Sequence, residues 1–322
     1  MKRRLQGQLN RLSEQNLFSI MNEIENLYRS QSRASINTCL VQFYDDMLMS
    51  PLSLTNESLI SEYALLISLL HGNIGLEIGS FVLENFSEKL STHLQDDVSN
   101  KISDNLIRFL AYLYVFYVTN SKLMFDICRY LINLDQLNEK RLELILLLLR
   151  TIGFVLRKDN PLELKQLLQQ LKTISSSSKE LFTSSSTRFQ YLIDTIQSLK
   201  NNDIRKLPGA FEPERIDRLR KVYQRLIKDR NTKQANMLNV DLDDLLKAKE
   251  QGRWWIVGSA WSKQNSVEKK SPKNNPIQQK FDEKILKLAK EQHMNTDIRK
   301  IVFATLLTSQ VCSIDLKNRR FF

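Results

Sequence analysis

From Leu9 to about residue 230 the apolar side chains recur every three or four positions almost without interruption. The 322-residue chain has only 8 Gly and 6 Pro to break that pattern. Together these are about 4% of the residues, where about 12% is usual. A sandwich or barrel needs a turn roughly every 8–12 residues, so this scarcity predicts long helices and excludes an all-β fold. Leu9, Leu12, Phe18, Met21, Ile24 and Tyr28 suit a first helix. Further helices are read over 36–47, 59–70, 74–86, 103–118, 123–134, 138–152, from Asn160-Pro161 onward, 189–199 and 213–229. Asn56, Ser121 and Asn138 are candidate N-caps, and Pro161 suits a first helical position, where its missing N–H costs nothing. Ten helices pair into five antiparallel hairpins of about 35–45 residues, the period of a HEAT-like α-solenoid. The expected fold is therefore all-α, with a compact irregular helical domain as the rival arrangement.

Hydrophobic residues make up 42% of the chain and charged residues 26%, enough to build a core and exclude global disorder. Cys39, Cys128 and Cys312 are too dispersed for a disulfide framework, which points to a reducing compartment. The start, Met1-Lys2-Arg3-Arg4-Leu5, lacks the apolar stretch of a signal peptide. The longest apolar run, Phe109–Val118, is too short to span a bilayer, so no membrane partner is expected.

The charge is unevenly distributed. Residues 1–200 carry 21 basic and 21 acidic side chains, whereas residues 201–322 carry 26 and 15, which accounts for the net +11. A neutral first part followed by a basic second part suggests an acidic partner near the C-terminal third, nucleic acid before membrane. A solvated basic linker would leave the same trace.

Catalytic and metal-binding patterns are absent. His71, His93 and His293 are too scattered to ligate a metal on their own. Gly72-Asn73-Ile74-Gly75-Leu76-Glu77-Ile78-Gly79 lacks both the GxGxxG spacing and the Lys-Ser/Thr of a phosphate loop, and reads instead as close helix packing at small residues. Neither a nucleophile elbow nor a carboxylate pair stands out. The chain is read as a non-enzyme, with no cofactor, metal or small-molecule substrate.

Two segments carry more information. All three tryptophans fall within Gly252-Arg253-Trp254-Trp255-Ile256-Val257-Gly258-Ser259-Ala260-Trp261. Each buries on the order of 200 Å² when covered, so this stretch either docks back onto the helical body or anchors a partner, with Arg253 placed to stack on a ring. Lys200 to Gly209 brings Asn201, Asn202, Asp203, Arg205 and Lys206 to the end of the ninth helix. That arrangement suits either a helix-terminal loop or a grip on another protein.

These segments, together with Arg188-Phe189-Gln190-Tyr191-Leu192, Asn73 to Gly79, Phe125-Asp126, Gly153 to Asp159, Leu5 to Glu14 and Met294-Asn295-Thr296-Asp297-Ile298-Arg299-Lys300, resemble the nucleolar MIF4G-domain protein family from about residue 4 to about 309. The Trp-rich string is the specific part. The resemblance implies a five-repeat MIF4G solenoid over 4–230, a Trp-containing linker over 231–276 and the start of an MA-3-type helical domain over 277–322. It also implies a scaffold for a DEAD-box RNA helicase of the initiation factor 4A class, acting in nucleolar processing of small-subunit ribosomal RNA precursors. Arg188, Asn201, Asn202, Asp203, Arg205, Lys206, Arg253, Trp254, Trp255 and Trp261 are then the expected partner contacts. Direct contact with RNA through the basic C-terminal third is the alternative, and the chain alone is expected to be monomeric. Family members have a long charged region before the solenoid and a complete MA-3-type domain after it. The chain is accordingly expected to be a form truncated at both ends, with the nucleolar targeting region outside it.

Overall fold

The structure, a computed structural model, describes residues 2–49, 55–95, 101–133, 139–178, 191, 195, 213–227, 237–248 and 292. The chain divides into two units, Met1–Trp261 and Ser262–Phe322, and the described helices all lie in the first. The described residues form eleven helices and no strand: α1 (Lys2–Leu9), α2 (Leu17–Ser30), α3 (Arg33–Leu48), α4 (Glu57–Ile74), α5 (Leu76–Gln95), α6 (Ile102–Val115), α7 (Ser121–Asn133), α8 (Glu139–Asp159), α9 (Pro161–Ser178), α10 (Pro213–Leu226) and α11 (Leu242–Leu246).

Two layers result. Helices α2, α4, α6 and α8 pack in succession, and α1, α3 and α5, then α7 and α9, form the second layer behind them. The pairs α2–α3, α4–α5, α6–α7 and α8–α9 cross between the layers, as expected of a solenoid of antiparallel hairpins. The sequence shows why α6 lies in the middle. Its residues from Phe109 to Val115 are all apolar, and every residue of the helix except Arg108 is buried. Tyr44, Tyr63, Phe86 and Phe109 interlock at its middle, with centroids 5.2–5.5 Å apart along the chain of contacts.

Polar side chains fix the connections. Asn56 caps α4 by accepting from the Ser58 amide at 2.9 Å. The α7 cap is Asn120, accepting from the Lys122 amide at 3.1 Å, with Ser121 already the first helical residue. Pro161 opens α9, and Asn160 and Glu163 exchange contacts across its first turn. Buried Asn105 of α6 staples the α3–α4 connection. Its side chain accepts from the Thr55 amide at 2.9 Å and donates to the Leu48 carbonyl at 3.1 Å. Gly75, with φ +150, is the one residue between α4 and α5, a backbone position that favours glycine.

The stretch read as one helix from Leu9 to Tyr28 is two. The chain turns over residues 10–16, where Asn16 accepts from the Ser13 amide at 2.8 Å and donates to the Arg11 carbonyl. Asn and Ser compete for the backbone in this way, overriding an apolar spacing that continues past the break. The break also leaves Phe18 56% exposed instead of in the core.

Residues 213–227 and 237–248 return to the body of the repeats. Helix α10 runs alongside α4 in the same direction. Arg215 donates to Ser58 Oγ at 2.5 Å and Ser61 Oγ at 2.8 Å near the start of α4, and Asn73 at its end donates to the Leu226 carbonyl at 3.4 Å. Met237–Ala248, within the span read as linker, lies against the second layer. There α11 packs on both α5 and α7. Its apolar residues alternate at 238, 240 and 242 and then recur at 245 and 248, and all five are 5% exposed or less. A strand period passes into a helical one, and both bury the same side of the segment.

Candidate functional site

The residues singled out from the sequence, Arg188, Asn201, Asn202, Asp203, Arg205, Lys206, Arg253, Trp254, Trp255 and Trp261, all lie outside the described residues. Within the described part, polar and aromatic groups converge at the turn between α6 and α7. There α10, the end of α8 and Met237–Asn239 meet.

Tyr117 is central to this junction. It is the one non-glycine residue with positive φ among those described, at 68°. An L-residue in this region costs on the order of 1 kcal/mol, and the surrounding contacts hold it there. The Arg220 guanidinium sits over its ring, 5.4 Å from the centroid, while Arg220 Nε donates to the Val115 carbonyl at 3.2 Å. Tyr223 packs on the same ring at 5.7 Å. Burial first, then the neighbouring Tyr117, push the Tyr223 hydroxyl up to about 12. Tyr114 donates to Asp159 Oδ2 at 2.5 Å. Burial, reinforced by that hydrogen bond and by the carboxylate's charge, raises its pKa above the ordinary phenol value.

The incoming segment is pinned to the same turn. The Leu238 amide donates to the Val118 carbonyl at 2.9 Å, and Thr119 Oγ1 donates to the Leu238 carbonyl at 3.3 Å. Asn120 donates to Asn239 Oδ1 at 2.5 Å, and Lys122 pairs with Asp241 at 2.6 Å. Between these elements lies an open cleft of about 610 Å³ lined by Tyr114, Tyr117, Asp159, Arg220, Met237 and Asn239. It offers hydroxyls, amides, one carboxylate and one guanidinium, a set suited to hydrogen-bonded recognition of a polypeptide or nucleotide edge.

Helix α10 also presents charge. Arg215 and Arg218 face Glu62 and Glu14, with Arg218 at 3.2 Å from Glu14. Burial raises the Glu62 pKa, and the two arginines counter it in part. Arg218, Lys221 and Arg225 are exposed at helical spacing along one side.

A second cleft, about 560 Å³, lies between α7 and α9 and is lined by Arg129, Asn133, Gln166, Gln169 and Gln170. Arg129 bridges Asp126 at 3.1 Å and Glu163. Burial opposes its charge, but the hydrogen bonds to Glu163 and Asp126 outweigh burial and hold the guanidinium above its ordinary value. Among the described residues, no group of three or more His, Cys, Asp or Glu is placed to hold a metal ion. No described helix is long and apolar enough to cross a membrane.

The α6–α7 junction did not emerge from periodicity. Its signals in the sequence are the alternation of Leu238, Val240 and Leu242 within a polar stretch, and the aromatic run ending at Tyr117-Val118, and neither names its partner. The Gly72–Gly79 string packs closely at two of its three glycines, while Gly75 has nothing within 4 Å of where its Cβ would lie. A Cβ at Gly72 would meet Ile227 Cδ1 at 2.9 Å, and one at Gly79 would meet Val118 Cγ1 at 2.8 Å.

The family model described as the MIF4G domain matches residues 2–203. "Nucleolar MIF4G domain-containing protein 1" of Mus musculus is 37% identical over 312 residues, covering 96% of this chain and 36% of the relative. The Homo sapiens protein of the same name is 38% identical over 314 residues, with the same coverage. "Suppressor of glycerol defect protein 1" of Schizosaccharomyces pombe is 28% identical over 323 residues, covering 96% of this chain and 41% of the relative. The chain thus spans about 36% of the length of the first two relatives.

Proposed function

This chain belongs to the MIF4G domain family, and from that premise we propose that it is a non-enzymatic scaffold for a DEAD-box RNA helicase of the initiation factor 4A class. The scaffold binds the helicase and stimulates it during processing of small-subunit ribosomal RNA precursors, in the nucleolus. One observation carries this reading: relatives named as nucleolar MIF4G proteins align with 96% of the chain, far beyond the domain match at 2–203.

The mechanism requires no chemistry from the scaffold. A stack of helix pairs is a long, stiff surface that can hold two mobile lobes of a partner at once. Binding one lobe arrangement better than the others shifts the helicase population toward it, and a few kcal/mol of differential binding suffices. Arg188 and the Asn201–Lys206 segment are assigned to lobe contact, and Arg253, Trp254, Trp255 and Trp261 to anchoring.

RNA-stimulated ATP turnover by a purified nucleolar helicase of this class tests the reading. A several-fold rise on adding the chain, with a complex stable on gel filtration, supports it. Joint exchange of Asn202, Asp203 and Arg205 for Ala should weaken that complex, and unchanged affinity would remove the segment from the interface.

A second reading is direct RNA binding, favoured by the exposed Arg218, Lys221 and Arg225 of α10 and by the basic balance after residue 200. It predicts an affinity for single-stranded RNA that falls steeply with salt, because phosphate contacts release counterions. Salt-insensitive or absent RNA binding would leave the helicase as the partner.

A further inference from the structure

We infer that Met237–Ala248 is a detachable strap, and that the gap between α5 and α7 is a peptide groove which this segment occupies in cis.

Three observations carry the inference. First, α11 takes a place in the second layer between two helices, packing on α5 and α7, although it is reached only after the whole repeat series. Second, the segment reads as a ligand. Leu238, Val240, Leu242, Leu245 and Ala248 are buried, while Asn239, Asp243 and Lys247 are exposed. Third, its attachment is balanced. A five-residue helix has no stability of its own, and burial of five apolar side chains is set against the ordering of a dozen residues, terms of the same order. Polar anchors hold its first residues: Leu238 to Val118 and Thr119, Asn239 to Asn120, and Asp241 to Lys122. At the start of α11, Asp126 accepts a hydrogen bond from the Leu242 amide, with the like charge of Asp241 close by.

Release of the strap withdraws Met237, Leu238 and Asn239 from the α6–α7 junction. This inference is independent of the helicase reading.

A synthetic peptide covering Asn236–Lys249 tests it in the 322-residue chain. In the Leu242→Asp/Leu245→Asp variant the cis strap is lost, and the labelled peptide should bind at least tenfold more tightly than to the unaltered chain. Equal binding to both, or binding to neither while the variant keeps its helicity, overturns the inference. If the variant fails to fold, the unaltered residues serve instead, with a protease site inserted between Ile227 and Met237. After cleavage the two pieces should co-elute and be separated by excess peptide. Pieces that part without peptide, or stay together in its presence, overturn the inference.

Discussion

Gly79 of α5 lies so close to His71 of α4 that a methyl group there would overlap the imidazole ring. Gly7, within α1, has nothing within 4 Å of where its Cβ would lie. The same substitution should therefore have opposite signs at the two positions. Gly79→Ala forces packed helices apart and should cost about 1–3 kcal/mol. Gly7→Ala removes backbone entropy from the unfolded chain and should gain about 0.5–1 kcal/mol. Paired thermal unfolding curves check both.

Asn105 is the hinge pin of the α3–α4 connection. Asn105→Leu keeps the volume but strands the Thr55 amide and the Leu48 carbonyl, each of which has lost its partner. A loss of about 1–3 kcal/mol per unsatisfied buried group is expected in urea unfolding. Hydrogen exchange should quicken first at the start of α4.

The pH response of the strap follows from Asp126. Burial, then the charge of Asp241, raises its pKa, and the Leu242 amide and Arg129 only partly offset this. A carboxyl with a raised folded-state pKa takes up its proton in the folded chain first. Stability is thus penalised above the folded pKa, and the penalty fades as pH falls toward the unfolded value. Asp126→Asn keeps an acceptor for the Leu242 amide. It should slow exchange of that amide at neutral pH and lose this advantage as pH falls through the folded pKa, below which the native carboxyl is also neutral.

Buried tyrosines set the alkaline limit. Burial, helped by the charge of Glu62, pushes Tyr63 up to about 12, and burial drives Tyr44 well above its ordinary value. Unfolded phenols ionise near pH 10. Stability should therefore be full below about pH 10 and fall steadily above it, as the unfolded state loses protons that the folded state retains. Ultraviolet titration of these phenols should coincide with loss of helical circular dichroism.

Cys128 is buried in α7, and burial pushes its thiol up to about 12, whereas Cys39 is only partly covered. Alkylation should label Cys39 in the folded chain and reach Cys128 only on global opening, as read by mass spectrometry over a denaturant series.

Much of this architecture was legible in the sequence because it is local. The 3.6-residue apolar period, the scarcity of Gly and Pro, the cap at Asn56 and Pro161 at the start of its helix act within a few residues of themselves, and they mark most of the helices among the described residues. The helix read over 189–199, apart from Tyr191 and Thr195, and the cap read at Asn138 lie outside those residues. The break between α1 and α2 escaped because Asn16 closes its turn through side-chain hydrogen bonds that apolar spacing does not register. The candidate contact residues were legible only by resemblance, and they fall outside the described residues. What tertiary structure alone decided is where the late segments go. Nothing near Arg215 or Leu238 in sequence indicates that one meets Ser58 and Ser61 of α4 and the other the Val118 carbonyl. Those contacts join residues more than a hundred positions apart. They exist because the stacked repeats create a face and a gap of the right shape, a property of the assembled layers and of no single stretch of chain.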